Sequence, residues 1–326
     1  MKPLSGSPVL TVSFSPHANC GRTFKHDAQE TILALLPAAA FAVYHYHMLA
    51  VRVLALSSFT AVITETVCLY LMKREIEADN YTALLYGLLL GLLLPPAAPW
   101  WMVATGSFIS IFLGRMIFGG LGANPLCVPL VGWAILTVSW PDLMNFDIIM
   151  LASELTYPLS QLKGFGPEML DEHTIRSLLL GFQLGGTGAA QTGAVLLGGI
   201  YILARRIVRP DIPLAFIGGV AVTAAIFFFI DPLEYASPEY HLLCGSTLFG
   251  AFFLATDGPS SPAGHIPMLI YGFITGVLVV IIRVYGMYPD GVPFAILLAN
   301  LMTPLIDKIR PAPFGGITNI HLRRRS

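Results

Sequence analysis

The stretch Leu88-Leu-Leu-Gly-Leu-Leu-Leu-Pro-Pro-Ala-Ala-Pro-Trp-Trp-Met102 decides the fold. It begins inside an apolar run from about residue 82, stops on paired prolines, and resumes as a second apolar run from residue 100. A helix crossing the hydrocarbon of a bilayer needs about 20 mostly apolar residues. Proline lacks a backbone donor and clashes with the preceding turn, so Pro95 and Pro96 must end the first run. Non-helical backbone at membrane depth survives only where protein buries it or a cavity hydrates it. The break therefore points inward, and the chain reads as a polytopic membrane protein built partly from interrupted helices.

The same pattern recurs along the chain. Apolar spans are expected at about 31–50, 53–72, 82–98, 100–118, 126–140, 177–204, 212–230, 241–256, 267–287 and 291–306. Gly119, Gly120 and Gly122 follow the fourth span, and Gly185, Gly186 and Gly188 enter the sixth. Of the 326 residues 55% are hydrophobic and 11% charged, against roughly 25% charged in soluble domains. So apolar a surface cannot be hidden in one soluble core, and membrane lipid is the expected solvent. A net charge of -1 without a basic, aromatic-interleaved patch sets nucleic acid aside as a partner. The four cysteines, Cys20, Cys68, Cys127 and Cys244, stand singly and read as small packing residues rather than metal ligands. Residues 1–30 lack the apolar region and cleavage site of a removable signal peptide.

Orientation follows from basic residues near the span ends. Arg22 and Lys25, Lys73 and Arg74, Arg205, Arg206 and Arg209, and Lys308 with Arg323–Arg325 fall on one side when ten spans are counted. Both termini are then cytoplasmic, with segment 141–176 and the acidic turn Asp231–Glu239 on the opposite face. Arg52 and Arg283 run against this trend.

An internal echo divides the chain. Gly87-Leu-Leu-Leu-Gly91, a Pro-rich turn, a span ending at Arg115 and the Gly119–Pro125 break resemble Gly250-Ala-Phe-Phe-Leu254, the 257–267 turn, a span ending at Arg283 and the Tyr285–Pro293 break. Corresponding interrupted spans in two halves mark repeat-built transport folds, with the functional centre at the repeat interface. Five spans per repeat would invert the second copy. The expected division is 1–30, a cytoplasmic N-terminal segment; 31–140, a first repeat; 141–176, an extracytoplasmic loop; 177–307, a second repeat; and 308–326, a basic tail.

No GxSxG, HExxH, Walker or CxxC motif is present. Candidate chemistry lies instead in polar residues at the breaks. Asn124-Pro125 and Asp290-Gly291 hold equivalent places, where freed N–H groups bind either a ligand or their own turn. Thr256 and Asp257, followed by Ser260 and Ser261, end an apolar span and suit either a ligand or a solvated connector. Glu65 inside an apolar run needs a protein partner, a cavity or a cation. His45 and His47 read as interfacial residues.

At these positions the sequence resembles the RnfD family, the flavin-bearing membrane subunit of the Rnf ferredoxin:NAD oxidoreductase, related to NqrB. The resemblance covers most of the chain. It rests on Ser15-Pro-His17, Pro95-Pro-Ala-Ala-Pro-Trp-Trp-Met102, Gly119-Gly-Leu-Gly-Ala-Asn-Pro125 and Ile212-Pro-Leu214. It continues through His241-Leu-Leu-Cys-Gly-Ser-Thr-Leu-Phe-Gly-Ala-Phe-Phe-Leu-Ala-Thr-Asp257, Tyr288-Pro-Asp-Gly-Val-Pro-Phe-Ala-Ile-Leu-Leu-Ala-Asn300 and Thr303-Pro-Leu-Ile-Asp307.

The resemblance implies FMN joined through its phosphate to a threonine in a D-G-x-S-x-A-T-P-L motif on the loop between the halves. The counterpart here is Leu151-Ala-Ser-Glu-Leu-Thr-Tyr-Pro-Leu-Ser-Gln-Leu-Lys163, which puts Tyr157 at the threonine position and Thr156 one residue earlier. Thr187, in Gly186-Thr-Gly-Ala-Ala190, ranks below Thr156 because it stands at a helix start. A second, non-covalent flavin such as riboflavin is expected among the helices, with contacts at Asn124, Thr256, Asp257 and Asp290. By resemblance the chain is an electron-transfer subunit of a complex in the bacterial cytoplasmic (inner) membrane. It would act with iron–sulfur, NADH-binding and flavin subunits, coupling ferredoxin/NAD(H) redox to Na⁺ or H⁺ transport. The competing expectations are a urea- or ammonium-transporter-like channel and a scaffold subunit that has lost its covalent flavin.

Overall fold

A computed structural model describes residues 23–74, 81–146, 157–166 and 175–309. Among these residues the regular structure is helical throughout. Helix α1 (Phe24–Tyr46) starts on Thr23, whose side chain accepts from the His26 amide, and it stops at His47, which adopts φ +48°. Helix α2 (Met48–Leu71) begins directly after. The first boundary thus falls a few residues before the expected one, because an unbroken apolar run gives no sign of a one-residue hinge.

Helix α3 (Thr82–Leu93) ends where Leu94 turns extended (ψ 154°), as a residue before proline prefers. Helix α4 (Trp100–Ile111) widens into a π turn at Phe112–Met116, and α5 (Val128–Ser139) follows. Short helices α6 (Pro141–Met144), α7 (Pro158–Phe165) and α8 (Ile175–Leu179) follow. The expected sixth span, 177–204, is in fact α8, an irregular segment and α9 (Thr192–Ala204). The glycines at 185, 186 and 188 interrupt it inside rather than at its start.

The chain continues through α10 (Asp211–Ile230), α11 (Pro238–Leu243), and α12 (Thr247–Phe249) with its π turn Gly250–Leu254. Helices α13 (His265–Tyr285) and α14 (Val292–Ile306) complete it. Three helices, α2, α10 and α13, are long and apolar enough to cross a membrane, and α3, α5, α9 and α14 are shorter apolar helices. Large apolar side chains such as Met48, Phe229 and Leu233 lie on the outside, about four-fifths exposed. That distribution suits lipid and would be costly in water.

Packing explains why short helices are tolerated. The amides of Thr187, Gly188 and Ala189 donate to the carbonyls of Leu94 and Leu92 at 2.9–3.0 Å, so the irregular 180–191 segment supplies the donors that the end of α3 lacks. Two breaks from different halves thus satisfy each other. Helices α10 and α13 approach at Gly219 and Gly276, where a Cβ on Gly276 would sit 2.7 Å from the Val220 nitrogen. Small residues permit such contact where lipid offers no hydrophobic drive.

The ends of the helices sort by charge. Arg205 bonds to Glu30, Arg74 to the Gly119 carbonyl, Arg209 and His265 to Asp211, and the Ala263 amide to Asp307. These contacts gather the start of α1, the ends of α2 and α9 and the start of α13 at one basic end. Segments 157–166 and 231–236 meet at the other, where they line one cavity with Arg283. The two anomalous basic residues are absorbed there by the fold: Arg52 donates to the Ala98 carbonyl and Arg283 pairs with Asp290.

Candidate functional site

Two buried polar clusters occupy the two halves, each beside a helix break. In the first, Arg115 sits on the π turn that ends α4, 1% exposed, with its Nη2 3.0 Å from the Glu65 carboxylate on α2. Its guanidinium lies over the Tyr86 ring, 5.7 Å from the centroid. The π turn arises because Ile117 reaches back five residues to the Phe112 carbonyl, and such widened turns concentrate at functional positions. Glu65 is therefore an ion-pair partner inside the protein, as a charge in an apolar run requires.

Asp257 joins this cluster from the other half. Its carboxylate accepts from Tyr86 Oη and Asn124 Nδ2 at 3.0 Å each, and from Ser260 Oγ at 3.0 Å. Asn124 also donates to the Leu126 carbonyl at 3.2 Å. Nearby, Tyr271 donates to Asn300 Oδ1 at 2.6 Å, and Thr303 to the Ser260 carbonyl at 3.1 Å. Several buried atoms here lack a hydrogen bond, among them Arg115 Nε and Nη1, Asn124 Oδ1 and Asn300 Nδ2. Such atoms normally find water or ligand.

A cavity of about 210 Å³ opens beside this cluster at the basic end. Thr82, Tyr86, Phe252, Phe253, Thr256 and Asp257 form much of its wall, with Asp27 also lining it. Thr256 meanwhile donates to the Phe252 carbonyl at 2.6 Å. Among the described lining residues the charged ones, Asp27 and Asp257, are both acidic, so the cavity disfavours an anion such as a phosphate.

The second cluster is built on Arg283, near the end of α13 and 5% exposed. Its Nη1 donates to the His241 carbonyl at 2.6 Å, and its Nη2 to Thr247 Oγ1 at 2.7 Å, the Cys244 carbonyl at 3.1 Å and Asp290 Oδ1 at 3.1 Å. Asp290 accepts in turn from the Ser246 amide at 3.0 Å, Ser246 Oγ at 2.6 Å and the Val292 amide at 3.3 Å. Gly245 makes this closeness possible: it adopts φ +67°, and a Cβ there would meet Leu159 at 2.6 Å and Asp290 Oδ2 at 3.1 Å.

A cavity of about 220 Å³ lies against this cluster, under α7. Leu159, Leu162, Tyr235 and Val284 give it apolar walls, and Lys163, Glu234, His241 and Arg283 add polar groups. His241 Nδ1 and Arg283 Nε are buried without a hydrogen bond. Lys163 donates to the Gly286 carbonyl, and partial burial pushes its ammonium below the usual lysine range. About 18 Å of helix separates this site from the first, counted along α13 from Tyr271 to Arg283.

The structure thus brings Asn124, Thr256 and Asp257 together at the first site and places Asp290 at the second. Thr156 lies outside the described residues. Tyr157 is 4% exposed, with its ring in an edge contact with Phe146 at 5.3 Å and packed with Leu159, Leu178, Leu184 and Cys244. Thr187 is fully buried with its hydroxyl donating to the Leu94 carbonyl at 2.6 Å, so it is a structural clip and is not presented to a modifying enzyme. His45 packs edge-on against Phe182. Cys68, Cys127 and Cys244 are buried free thiols, as small packing residues should be.

Sequence reading missed the roles of Tyr86, Lys163 and His241 and treated Arg115 and Arg283 only as span ends. The usable signal was a guanidinium within an apolar run, which obliges a buried partner.

A profile of the NQR2, RnfD, RnfE family matches residues 11–315. The RnfD protein of the ion-translocating oxidoreductase complex of Salmonella newport (strain SL254) is 31% identical over 358 aligned positions, covering 94% of this chain and 99% of that protein. Those of Salmonella agona (strain SL483) and Salmonella heidelberg (strain SL476) match with the same identity and coverage.

Proposed function

The chain belongs to the NQR2, RnfD, RnfE family, and on that premise we propose that it is the membrane electron-transfer subunit of an ion-translocating oxidoreductase complex, working through bound flavin. The observation that carries the reading is structural: each of two helix breaks holds a buried arginine–carboxylate pair, and a cavity lies beside each, lined by Tyr86 and Asp257 next to the Arg115–Glu65 pair and by Arg283 itself at the other. Two five-helix repeats of opposite orientation account for that pairing. The start of α13 then lies at the same end as the finish of α4, and the equivalent breaks face opposite sides. The basic end is the cytoplasmic one, both termini lie there, and the membrane is the bacterial inner membrane.

The two cavities differ in what they suit. The one at the basic end, with Thr82, Thr256, Phe252 and two acidic residues, is the proposed seat of an uncharged flavin such as riboflavin. Asn124 holds Asp257 in place there through its amide. The one under α7, lined by Lys163, His241 and Arg283 with Glu234, is the proposed seat of an FMN ring. Thr156, immediately before the buried Tyr157, is the hydroxyl proposed to carry it, since the tyrosine ring is committed to packing. A bound flavin supplies one- and two-electron chemistry of its own; the protein's task is binding, spacing and electrostatics.

Arg115, Glu65 and Asp257 place one cation and two carboxylates within the membrane at the first site. Such a constellation is the natural place to couple a cation's movement to a change of charge nearby. Iron–sulfur and NADH-binding subunits would deliver the electrons. The channel reading has no comparable support: the family match spans 11–315, and the interior at both breaks is charged rather than a plain pore lining.

Purified protein separated on a denaturing gel tests the proposal. In-gel flavin fluorescence that Thr156→Val abolishes supports covalent FMN at that residue, together with a second flavin released into the supernatant on denaturation. A preparation of the assembled complex whose chain carries flavin in neither fraction contradicts the redox reading and favours the scaffold.

A further inference from the structure

The cavity under α7 contains an unexplained feature. Arg283 is 5% exposed and spends its two Nη groups on four acceptors, yet its Nε is buried without a hydrogen bond. His241, 3% exposed, likewise leaves Nδ1 without a partner, and both residues line this cavity. Arg283 Nε is a donor that is never deprotonated, and a buried donor left this way costs the full desolvation penalty, so it marks a missing acceptor; His241 Nδ1 donates or accepts according to its tautomer. The charged groups facing the cavity are Lys163, Arg283 and Glu234, with Asp290 behind Arg283. Cations and carboxylates balance, which disfavours a free polyanion. The apolar walls from Leu159, Leu162, Val284 and Tyr235 suit a flat ring.

We propose that Arg283 Nε, with Lys163 at the rim, donates to the carbonyl edge of an isoalloxazine ring seated under α7, and that this contact sets the ring's reduction potential. The proposal rests on the flavin reading above. Two electrons and one proton leave a ring with one negative charge spread over its pyrimidine edge, and the partner subunits of the complex supply those electrons. A fixed guanidinium at that edge favours the reduced ring over the oxidised one and raises the potential. His241 Nδ1 adds a second contact at the same edge, to a ring carbonyl in its N–H tautomer and to the imide N–H in the other. Glu234 at the rim, an acceptor, suits the imide N–H that lies between the two ring carbonyls.

The test is a potentiometric titration of the purified complex, followed by flavin absorbance, for the natural chain and for Lys163→Ala and Arg283→Lys. Lys163 is exposed on α7, so its variant reports even where the Arg283 variant fails to assemble. Arg283→Lys keeps the charge opposite Asp290 but removes Nε. Each variant is expected to lose about tenfold in preference for the reduced ring, a downward shift of about 30 mV in one two-electron transition. The other flavin transitions stay in place. Bound flavin whose transitions all superimpose on those of the natural chain overturns the proposal and leaves the flavin reading standing. A complex with no flavin in this chain overturns both.

Discussion

The two arginine sites begin from one sequence pattern and end differently. Each half has an apolar helix finishing on a buried arginine, followed by a glycine-rich break that carries Asn124 in the first half and Asp290 in the second. In the second half the break supplies its own carboxylate, so Arg283 and Asp290 form a closed unit with His241, Cys244, Ser246 and Thr247. In the first half the break offers only a neutral amide. Arg115 must take Glu65 from α2, and Asn124 instead reaches across to Asp257 of the other half. A single exchange of amide for acid thus makes one site local and the other an interface between halves.

Substitutions can erase this contrast. The largest effect is expected for Asp290→Asn, which strands Arg283 with no compensating carboxylate in contact. Removing one partner of a buried pair costs about 3–5 kcal/mol, so the variant should show a sharply lower melting temperature in detergent or fail to accumulate. Glu65→Gln should cost less, about 2 kcal/mol, because Asp257 remains close to Arg115 and offsets part of the uncompensated charge. Equal losses for the two variants would contradict the local-against-shared distinction.

Asn124→Asp gives the first half the acid of the second. It sets two carboxylates against each other and removes the Asn124 donor to Asp257, costing about 1–2 kcal/mol at neutral pH. The double variant with Asp257→Asn should recover most of that loss, which a double-mutant cycle on thermal unfolding measures. No recovery would show that the cross-half contact is incidental.

The smallest effect is expected where the half-exposed Arg205, with Tyr201, binds Glu30 and holds its carboxyl down to about 2, against an ordinary 4.5. A carboxyl with a lowered folded value stabilises above its ordinary range, and loses that contribution as pH falls toward the folded value. Glu30→Gln should therefore melt below the natural protein at pH above 4.5, and the gap should close as pH approaches 2. High salt should narrow it at any pH, since the Arg205 side chain is about half exposed.

Much of this architecture was legible in residue types. Pro95 and Pro96 placed the end of α3, and the Arg115 and Arg283 span ends with the Asn124 and Asp290 breaks located both polar clusters. What could not be read was partnership across distance. Glu65 with Arg115, Tyr86 with Asp257 and Thr187 with Leu94 join residues far apart in sequence, and no local periodicity encodes them. Grouping Asn124, Thr256, Asp257 and Asp290 around one ligand followed from their shared motif character. The fold separates Asp290 because it lies past the far end of α13, where it pairs with Arg283. The hinge at His47 was hidden for another reason: a positive φ at a histidine leaves no compositional trace in an apolar run.

On the proposed reading this chain carries two flavins, one covalent beside α7 and one dissociable near Asp257. Mass spectrometry of peptides from segment 141–176, with quantification of flavin released on denaturing the same purified complex, tests it most directly. The expected result is a peptide containing Thr156 heavier by an esterified FMN, and one equivalent of phosphate-free flavin in the released fraction. Unmodified peptide throughout, with no flavin released from this chain, would contradict it.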